Sequence, residues 1–522
     1  MNVGERVDRR RRRRRRERAG DQATNGIAGN RQATYLRQLR NPYRPVEQFS
    51  ADQIETIHET SLKILQEIGL RVLSPEACDI YQQAGADVDA GDNRVRMAPE
   101  LVMRCLADAP AEVHLQARNP KCNVDIGGNA VAIGTVGGPP HFSDLQSGRQ
   151  SGTMAAFENF LRLAQSFDVI HIVGPLVEPI DVDTNVRHLH MTRSQVALTE
   201  KIPFVYARGR EAVTDALEIV RIAHGMTEEN FANTPVCYTV VNVNSPLQLD
   251  NTMCKGIIDF AKRGQLMVLT PFTLAGAMAP VTLPGALAQQ NAEALAGIAL
   301  SQLVRPGAPV CYGGFTSNVD MKTGAPAFGT PEYVKAAFAS GQLARRYKLP
   351  FRSSNVNTSN TPDAQAAYES QMALWGAVMG GCNIVMHGAG WLEGGLTASF
   401  EKFIIDIEML QMFASLMQPV AFDEDALAMS SIREIEPGGH FFGTQHTLAH
   451  YETAFYSPLL SDWRNYETWK DAGGIDATTR AHMIYKDTIA KYEAPPMDAA
   501  VRAEIDDFIA RREAEGGADL DN

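Results

Sequence analysis

A series of eight short β-rich runs, most of them continuously apolar and each followed by a helical segment, constrains the fold of this chain more than any other feature. Runs of this kind are typical of parallel strands that are buried on both faces. Helical patterns fill the gaps, for example over residues 285–304 and 331–346. The runs are VAIGTV (131–136), VIHIVG (169–174), PFVYA (203–207), VCYTVVNV (236–243), LMVLTPF (266–272), PVCYGG (309–314), FRSSN (351–355) and NIVMHG (383–388).

Eight strands alternating with helices are the number expected of a (β/α)8 TIM barrel, a fold of the α/β class. The alternative is a doubly wound open sheet, which usually carries a glycine fingerprint after its first strand. The segment GTVGGPP at that place matches neither GxGxxG nor the phosphate-binding GxxxxGK pattern. We therefore expect the barrel and rank the open sheet second.

The regions on either side of these runs have a different pattern. An amphipathic helix with Ser50 as its N-cap is predicted over residues 50–70, and two more helices are predicted at about 75–84 and 98–108. The sequence after residue 402 is again rich in helical patterns. The predicted organisation is an Arg-rich tail (1–44), a helical N-terminal extension (45–125), the barrel (126–401), a C-terminal helical cap (402–510) and a flexible acidic tail (511–522).

Positive charge is concentrated at the N-terminus. The unbroken run Arg9–Arg16 cannot pack against itself, so the tail is predicted to be disordered. One interpretation is that the tail tethers the protein to nucleic acid or another anionic surface. The other is that the tail is dispensable or results from a wrongly assigned start codon. The net charge of the whole chain is -12, and residues after position 40 hold 36 basic and 57 acidic residues. The folded body therefore offers no basic face to nucleic acid.

Composition and cysteine use indicate a soluble cytoplasmic protein. The chain is 44% hydrophobic and 21% charged, and its mean hydropathy is -0.19. No stretch of about 18 uncharged apolar residues is present, so no membrane span is expected. The seven cysteines form no CxxC pair, and several lie in apolar runs, as expected of reduced core thiols.

Polar and aromatic side chains at the predicted strand ends are the candidate site, because barrel chemistry takes place at the carboxyl ends of the strands. They include no Cys/His metal set, and no metal is predicted. The pairs His188/His190 and His446/His450 have ligand-like spacing without a partnering carboxylate, and we interpret them as surface or core histidines. The remaining groups are suited to holding a small cation.

Several blocks of the chain, in order, resemble the trimethylamine methyltransferase (MttB) family. The resemblance covers about residues 45–510. It implies a TIM barrel and the transfer of a methyl group from a methylated amine to the Co(I) corrinoid of a separate small protein, with no cofactor held tightly by this chain. The blocks are GTVGGPPHFSDLQSG (134–148), SPLQLDN (245–251), residues 276–314, PDAQAAYE (362–369), GAGWLEGGLTASFEKFIIDIEML (388–410), GGHFFGTQHTLAHY (438–451) and WRNYETWKDAGG (463–474).

One departure from the family pattern bears on the substrate. Trimethylamine-specific members carry pyrrolysine shortly before the PD-x-Q-A motif, and this sequence has an ordinary residue there, near Val356. A quaternary ammonium releases a neutral amine without needing a proton, so the resemblance favours a quaternary amine such as glycine betaine. The alternatives are trimethylamine or another methylamine, direct transfer to an acceptor such as tetrahydrofolate, and a non-catalytic betaine-binding or regulatory barrel. We also expect a homo-oligomer.

The resemblance and the strand-end positions together give the candidate residues. The candidate catalytic residues are Glu293, Asn355, His387 and Glu393. The candidate substrate-binding residues are Phe142, Asn242, Phe272, Tyr312, Arg352, Asn357 and Trp391. The four aromatic residues are candidates for an ammonium cage, Glu293 and Glu393 would offset its charge, and Asn355, Asn357, His387 and Arg352 would bind a betaine carboxylate.

Overall fold

The computed structural model describes residues 38–519. The Arg9–Arg16 run and the last three residues lie outside the described part of the chain. The described residues form two compact units, one of residues 38–407 with 478–519 and the other of Glu408–Ala477.

A parallel sheet of buried strands is the centre of the larger unit. The strands Leu266–Leu269 (LMVL) and Val310–Gly313 (VCYG) are buried at all four positions, in keeping with their continuous apolar sequence. The sheet order is β1-β7-β18-β17-β14-β12-β10, parallel throughout except for the antiparallel edge strand β1. These strands are β1 (Leu39–Arg40), β7 (Ala130–Ile133), β10 (Tyr238–Val241), β12 (Leu266–Leu269), β14 (Val310–Gly313), β17 (Phe351–Ser354) and β18 (Ile384–Met386).

The second and third predicted strands form single parallel bridges instead of full ladders. Ile172 pairs with both Gly134 and Ile202, and Phe204 pairs with Tyr238 of β10. Prolines at Pro175 and Pro203 lack the N–H that a longer ladder would need. The bridges connect the β7 end of the sheet to its β10 end. The α/β class predicted from the sequence is confirmed.

Helices follow the strands in chain order. The longest, Leu283–Val304, is buried on nearly every side because its sequence is apolar or small all round. The N-terminal helices cover it: Ser61 donates to the carbonyl oxygen of Ala288 at 2.9 Å, and Tyr81 to that of Ala296 at 2.9 Å. The other helices of the larger unit are Ala51–Lys63 (continued as a π-helix over Ile64–Ile68), Pro75–Gln83, Pro99–Asp108, Met154–Ser166, Thr184–Leu198, Arg210–Ala223, Glu228–Asn233, Asn251–Lys262, Pro331–Arg346, Ala364–Met379 and Ala499–Ala514.

Smaller sheets complete this unit, and several of their strands lie in the region predicted to be a helical extension. Two short sheets occupy residues 70–127, so that region is mixed rather than purely helical. The remaining strands are β2 (Leu70–Val72), β3 (Asp87–Asp89), β4 (Arg94–Arg96), β5 (Glu112–Leu115), β6 (Val124–Gly127), β8 (His141–Asp144), β9 (Gly148–Ser151), β11 (Gln248–Leu249), β13 (Phe272–Ala275), β15 (Phe315–Val319), β16 (Pro326–Ala327), β19 (Trp391–Leu392) and β20 (Thr397–Ser399).

The smaller unit, Glu408–Ala477, is built mainly from short helices. The Glu408 carboxylate accepts hydrogen bonds from the backbone of Leu459 and Leu460 and from the Ser461 hydroxyl, which ties the start of this unit to its later part. Its short helices are Glu424–Leu427, Met429–Glu434, Gln445–His450 and Tyr466–Asp471, and the helices Phe400–Leu416 and Ala477–Ala490 cross its boundaries. Within residues 38–519, no helix has the length and apolar character needed to cross a bilayer.

Candidate active site

A cavity of about 230 Å³ lies at the carboxyl ends of the parallel strands. Asn242 directly follows β10, Thr270 follows β12 and His387 follows β18, while Arg352 projects from β17. Polar side chains from four strands of the sheet therefore meet in one place. Barrel and open-sheet enzymes both carry their sites at this end of the strands. Of the eleven predicted site residues, the cavity brings together Asn242, Phe272, Arg352, His387 and Trp391.

The Arg352 guanidinium is a buried positive charge without a counter-ion among the described residues. The residue is 2% exposed, and its side chain stacks on Phe315 with the guanidinium carbon 5.0 Å from the ring centroid. Nη2 lies 3.1 Å from Nε2 of His387, whereas Nε and Nη1 have no hydrogen-bond partner. Burial lowers the pKa of Arg352 to about 10, so the group stays charged at neutral pH. An unpaired buried charge is costly, which indicates that a ligand anion completes this site.

His387 adds a further donor beside Arg352. Burial, assisted by the adjacent Arg352 charge, holds the pKa of His387 well below its usual range, so the ring is neutral. Because Arg352 can only donate, Nε2 of His387 must accept and the ring proton must be on Nδ1. That Nδ1 is buried and has no partner. Three donor nitrogens of Arg352 and His387, two cavity-lining residues, thus have no hydrogen-bond partner among the described residues. N–H donors of this kind suit a carboxylate.

Aromatic rings form the rest of the wall. The ring of Trp391 lies 4.3 Å from that of His387 and 6.4 Å from that of Phe315, and Phe315 lies 5.3 Å from Phe272. Tyr206 also lines the cavity. Ring faces of this kind attract quaternary ammonium groups, at about 0.5–2 kcal/mol for each well-placed contact.

Acidic groups are absent from the wall of this cavity among the described residues. Its two charged residues are both arginines, the buried Arg352 and the exposed Arg208, which stacks over Tyr206 at 4.8 Å. A simple organic cation would therefore meet net positive charge here. A zwitterion with its carboxylate toward Arg352 and its ammonium toward the aromatic rings would satisfy both parts of the wall.

Four predicted site residues lie away from the cavity with their side chains already paired. Glu293 accepts from Ser245 and the Leu247 backbone at 2.6 and 2.8 Å. The Tyr312 hydroxyl is buried between Gln290 and Asn291. The other two are Glu393, which binds Arg149 at 2.9 Å, and Phe142, whose ring contacts Phe400 at 6.0 Å.

Asn355 and Asn357 support the cavity wall from behind. Asn357 donates to the Trp391 carbonyl, and the Trp391 indole N–H donates back to the Asn357 carbonyl at 3.0 Å. Asn355 donates to Asp406 at 3.1 Å, and Asp406 also accepts from the Gly390 backbone at 2.8 Å. Asp406 is paired with Lys402, and both side chains are fully buried. Val356, near the position of pyrrolysine in trimethylamine-specific members, is buried with them and does not line the cavity.

Three aromatic residues of the cavity wall, Phe204, Tyr206 and Phe315, were not predicted as site residues from the sequence. Phe315 follows the GG pair that ends the PVCYGG run, and Phe204 and Tyr206 lie inside PFVYA, which was treated only as a strand. The signal for Tyr206 and Phe315 is an aromatic residue near the end of an apolar run, where a strand passes into its loop.

Comparison with known proteins identifies the family. The family model described as trimethylamine methyltransferase (MTTB) matches residues 9–517. The chain is 38% identical over 468 residues to the glycine betaine methyltransferase of Desulfitobacterium hafniense (strain Y51), covering 89% of this chain and 97% of that protein. It is 29% identical over 471 residues to the trimethylamine methyltransferase MttB of Desulfitobacterium hafniense (strain DSM 10664 / DCB-2), covering 90% and 94%.

Among solved structures, the chain is similar to the Methanosarcina barkeri monomethylamine methyltransferase (MtmB). The identity is 11% and the TM-score 0.44, with 90% of this chain and 96% of that chain covered. The resemblance found in the sequence blocks is confirmed by the family match, which spans nearly the whole chain. This protein is a methyltransferase and belongs to the trimethylamine methyltransferase (MTTB) family.

Proposed function

We propose that this methyltransferase removes a methyl group from a quaternary amine that carries a carboxylate, a betaine, and passes it to the Co(I) corrinoid of a separate protein. The observation that carries the proposal is the buried Arg352 guanidinium with two unpartnered donors, in a cavity wall whose described residues include no acid. The relative named glycine betaine methyltransferase supports the same substrate class.

The wall divides into two chemical halves that match the two ends of a betaine. Arg352 and His387 would hold the carboxylate, and Trp391, Phe272 and Phe315 would surround the methylated ammonium. Asn242 at the cavity edge would add a neutral polar contact. Fixing both ends orients one N–CH3 bond, and orientation is the main contribution such a site can make to an in-line displacement.

The proton chemistry of the wall fits a quaternary substrate. When a methyl group leaves a quaternary ammonium, the electron pair of the broken C–N bond remains on nitrogen and the tertiary amine departs neutral. No acid is needed, and His387 is held neutral beside Arg352. Trimethylamine would first have to be protonated or otherwise activated, and no Asp or Glu of the described chain lines this cavity.

A corrinoid carried by a partner protein would supply the nucleophile that accepts the methyl group. The cavity, at about 230 Å³, is too small to enclose a corrin macrocycle. This supports a corrinoid held by another chain and presented at the cavity mouth.

The seven free cysteines, six of them buried, support a cytoplasmic location.

We also propose that the eight parallel segments close into the (β/α)8 barrel. The support is the pairing of Ile172 with both Gly134 and Ile202, and of Phe204 with Tyr238, which links the two ends of the sheet. With the closed barrel, the cavity lies at the face where barrel enzymes carry their chemistry. The division into residues 45–125, 126–401 and 402–510 remains the proposed domain arrangement.

The deciding experiment follows methyl–Co(III) formation by absorbance when the enzyme is mixed with the Co(I) corrinoid protein and one amine at a time. We expect turnover with glycine betaine, proline betaine or carnitine, and none with choline, tetramethylammonium or trimethylamine. Equal turnover with choline or tetramethylammonium would contradict the carboxylate requirement. Turnover with trimethylamine alone would favour the methylamine alternative, and binding of a betaine without any methyl transfer would favour a non-catalytic barrel.

A further inference from the structure

Three metal-ligating side chains converge in the smaller unit, and none of them lines the cavity. One ligand atom from each of Asp425, His446 and His450 lies within 4.8 Å of the other two. Nε2 of His450 is 2.9 Å from the Asp425 carboxylate, and Nε2 of His446 is 3.0 Å from the Asp425 backbone carbonyl. The two imidazole rings are 4.6 Å apart. Sequence spacing indicated no carboxylate for this histidine pair, and the fold supplies one from residue 425.

The local structure explains the convergence. His446 and His450 are four residues apart on the helix Gln445–His450, so their rings lie on one face of it. Asp425 lies in the first turn of the separate helix Glu424–Leu427. Two imidazole nitrogens and one carboxylate form a ligand set that suits divalent transition metals, and Zn²⁺ in particular.

The segment 418–477, which carries these helices, buries little apolar surface of its own. Between residues 418 and 477, Leu459 and Leu460 are the only apolar side chains that are buried. Phe422, Phe442 and Phe455 are 87%, 82% and 83% exposed. Protein modules with so little buried apolar surface are usually held by disulfides or a metal ion, and this segment contains no cysteine.

We propose that Asp425, His446 and His450 bind one divalent transition-metal ion, with Zn²⁺ the expected occupant and water in the fourth position. Binding requires a free lone pair on Nε2 of each histidine, so each ring coordinates the ion as the tautomer that carries its proton on Nδ1. The ion replaces the hydrogen bonds to Asp425 and joins the helix Glu424–Leu427 to the helix Gln445–His450. This proposal is independent of the proposed substrate.

The test measures Zn²⁺ binding to the full-length protein after metal is stripped with a chelator. Calorimetric titration with ZnCl2 is expected to show about one saturable site, and Co²⁺ is expected to give visible ligand-field absorption bands typical of nitrogen and oxygen ligation. His446→Ala and His450→Ala are each expected to abolish this site. The matched control is His190→Ala, because His190 is also half-exposed and paired with a carboxylate, that of Glu513, but belongs to no three-residue ligand group among the described residues.

A second measurement, limited proteolysis, follows the structural effect of Zn²⁺ binding. Zn²⁺ is expected to slow proteolysis within residues 418–477 of the native protein, and His450→Ala is expected to remove that protection while leaving the unfolding transition of the rest of the chain unchanged. Absence of saturable Zn²⁺ or Co²⁺ binding to the unmodified chain would overturn the proposal. So would Zn²⁺ stoichiometry that is unchanged in folded His446→Ala or His450→Ala protein.

Discussion

The Arg352 side chain has an energetic role that differs between the free and ligand-bound protein. Without a ligand, its guanidinium is buried with one neutral neighbour, His387, and two unpartnered N–H donors. This arrangement is unfavourable for folding, because a buried charge loses its hydration. A substrate carboxylate would restore the missing hydrogen bonds. Under the proposed function, Arg352 would favour substrate binding at the expense of stability, a common pattern at functional sites.

Replacing Arg352 tests this role. Arg352→Gln is expected to raise KM for glycine betaine roughly 10- to 150-fold, because charged hydrogen bonds contribute about 1.5–3 kcal/mol. The thermal unfolding midpoint of the ligand-free protein is expected to stay level or rise. Steady-state kinetics and calorimetry measure the two effects. Arg208→Gln is the control, since Arg208 lines the same cavity but is exposed. An unchanged KM in Arg352→Gln would remove Arg352 from the site.

At the scale of secondary-structure elements, the strand pattern was largely predictable because continuous burial leaves a continuous apolar sequence. Six of the eight predicted strands are formed as regular strands, and the other two are reduced to bridges at Ile172 and at Ile202 and Phe204. The smaller sheets were not predicted. Their strands, such as Arg94–Arg96 and Gly148–Ser151, are short and polar, so their pairing depends on tertiary contacts rather than on an apolar pattern.

The site was predictable only in part, because a strand-end position does not specify the direction of a side chain. Tyr312 and Arg352 both lie on central strands, yet the Tyr312 hydroxyl bonds to residues of the helix Leu283–Val304 while Arg352 faces the cavity. Successive side chains of a strand point to opposite faces, so a one-residue difference in register decides between the two. Glu393 was equally plausible by position, but its carboxylate is paired with Arg149.

The loop after β18 gives a prediction that depends on backbone geometry. Gly395 has φ +98°, and a Cβ there would lie 2.5 Å from the Trp391 ring. Gly395→Ala is therefore expected to displace the indole and raise KM for the betaine several-fold. Gly85→Ala is a matched control, because Gly85 has φ +97° and open space around it. Both variants should lose about 1–3 kcal/mol of stability through backbone strain.

Kinetics with both variants separate displacement of the ring from general destabilisation. Gly85→Ala is expected to retain the KM of the unmodified enzyme at a temperature where both variants are folded. If Gly395→Ala and Gly85→Ala shift KM alike, or if neither does, then Trp391 does not contact the substrate.

For the whole molecule, buried histidines make a defined contribution to the response of stability to acid. Burial lowers the pKa of His58 to about 4 and that of His171 to about 3, and it holds the pKa of His387 well below its usual range. In the unfolded chain each imidazole titrates near 6.5. The unfolded state therefore binds more protons than the folded state below that pH. The stability contributed by these neutral rings is complete above pH 6.5 and is lost as the pH falls toward the folded-state values.

We therefore expect the free energy of unfolding to fall by about 2 kcal/mol for each of His58 and His171 between pH 7 and pH 5. Denaturant midpoints at the two pH values measure the total change in the free energy of unfolding. His58→Gln retains a hydrogen-bonding group for the Tyr347 hydroxyl, which lies 2.8 Å from His58, but cannot take up a proton. The decrease in the free energy of unfolding between pH 7 and pH 5 should accordingly be smaller by about 2 kcal/mol in this variant. His440→Gln, at an exposed position, is the control. If the free energy of unfolding decreases by the same amount in His58→Gln as in the unmodified protein, then His58 is already protonated in the folded state and burial does not keep it neutral.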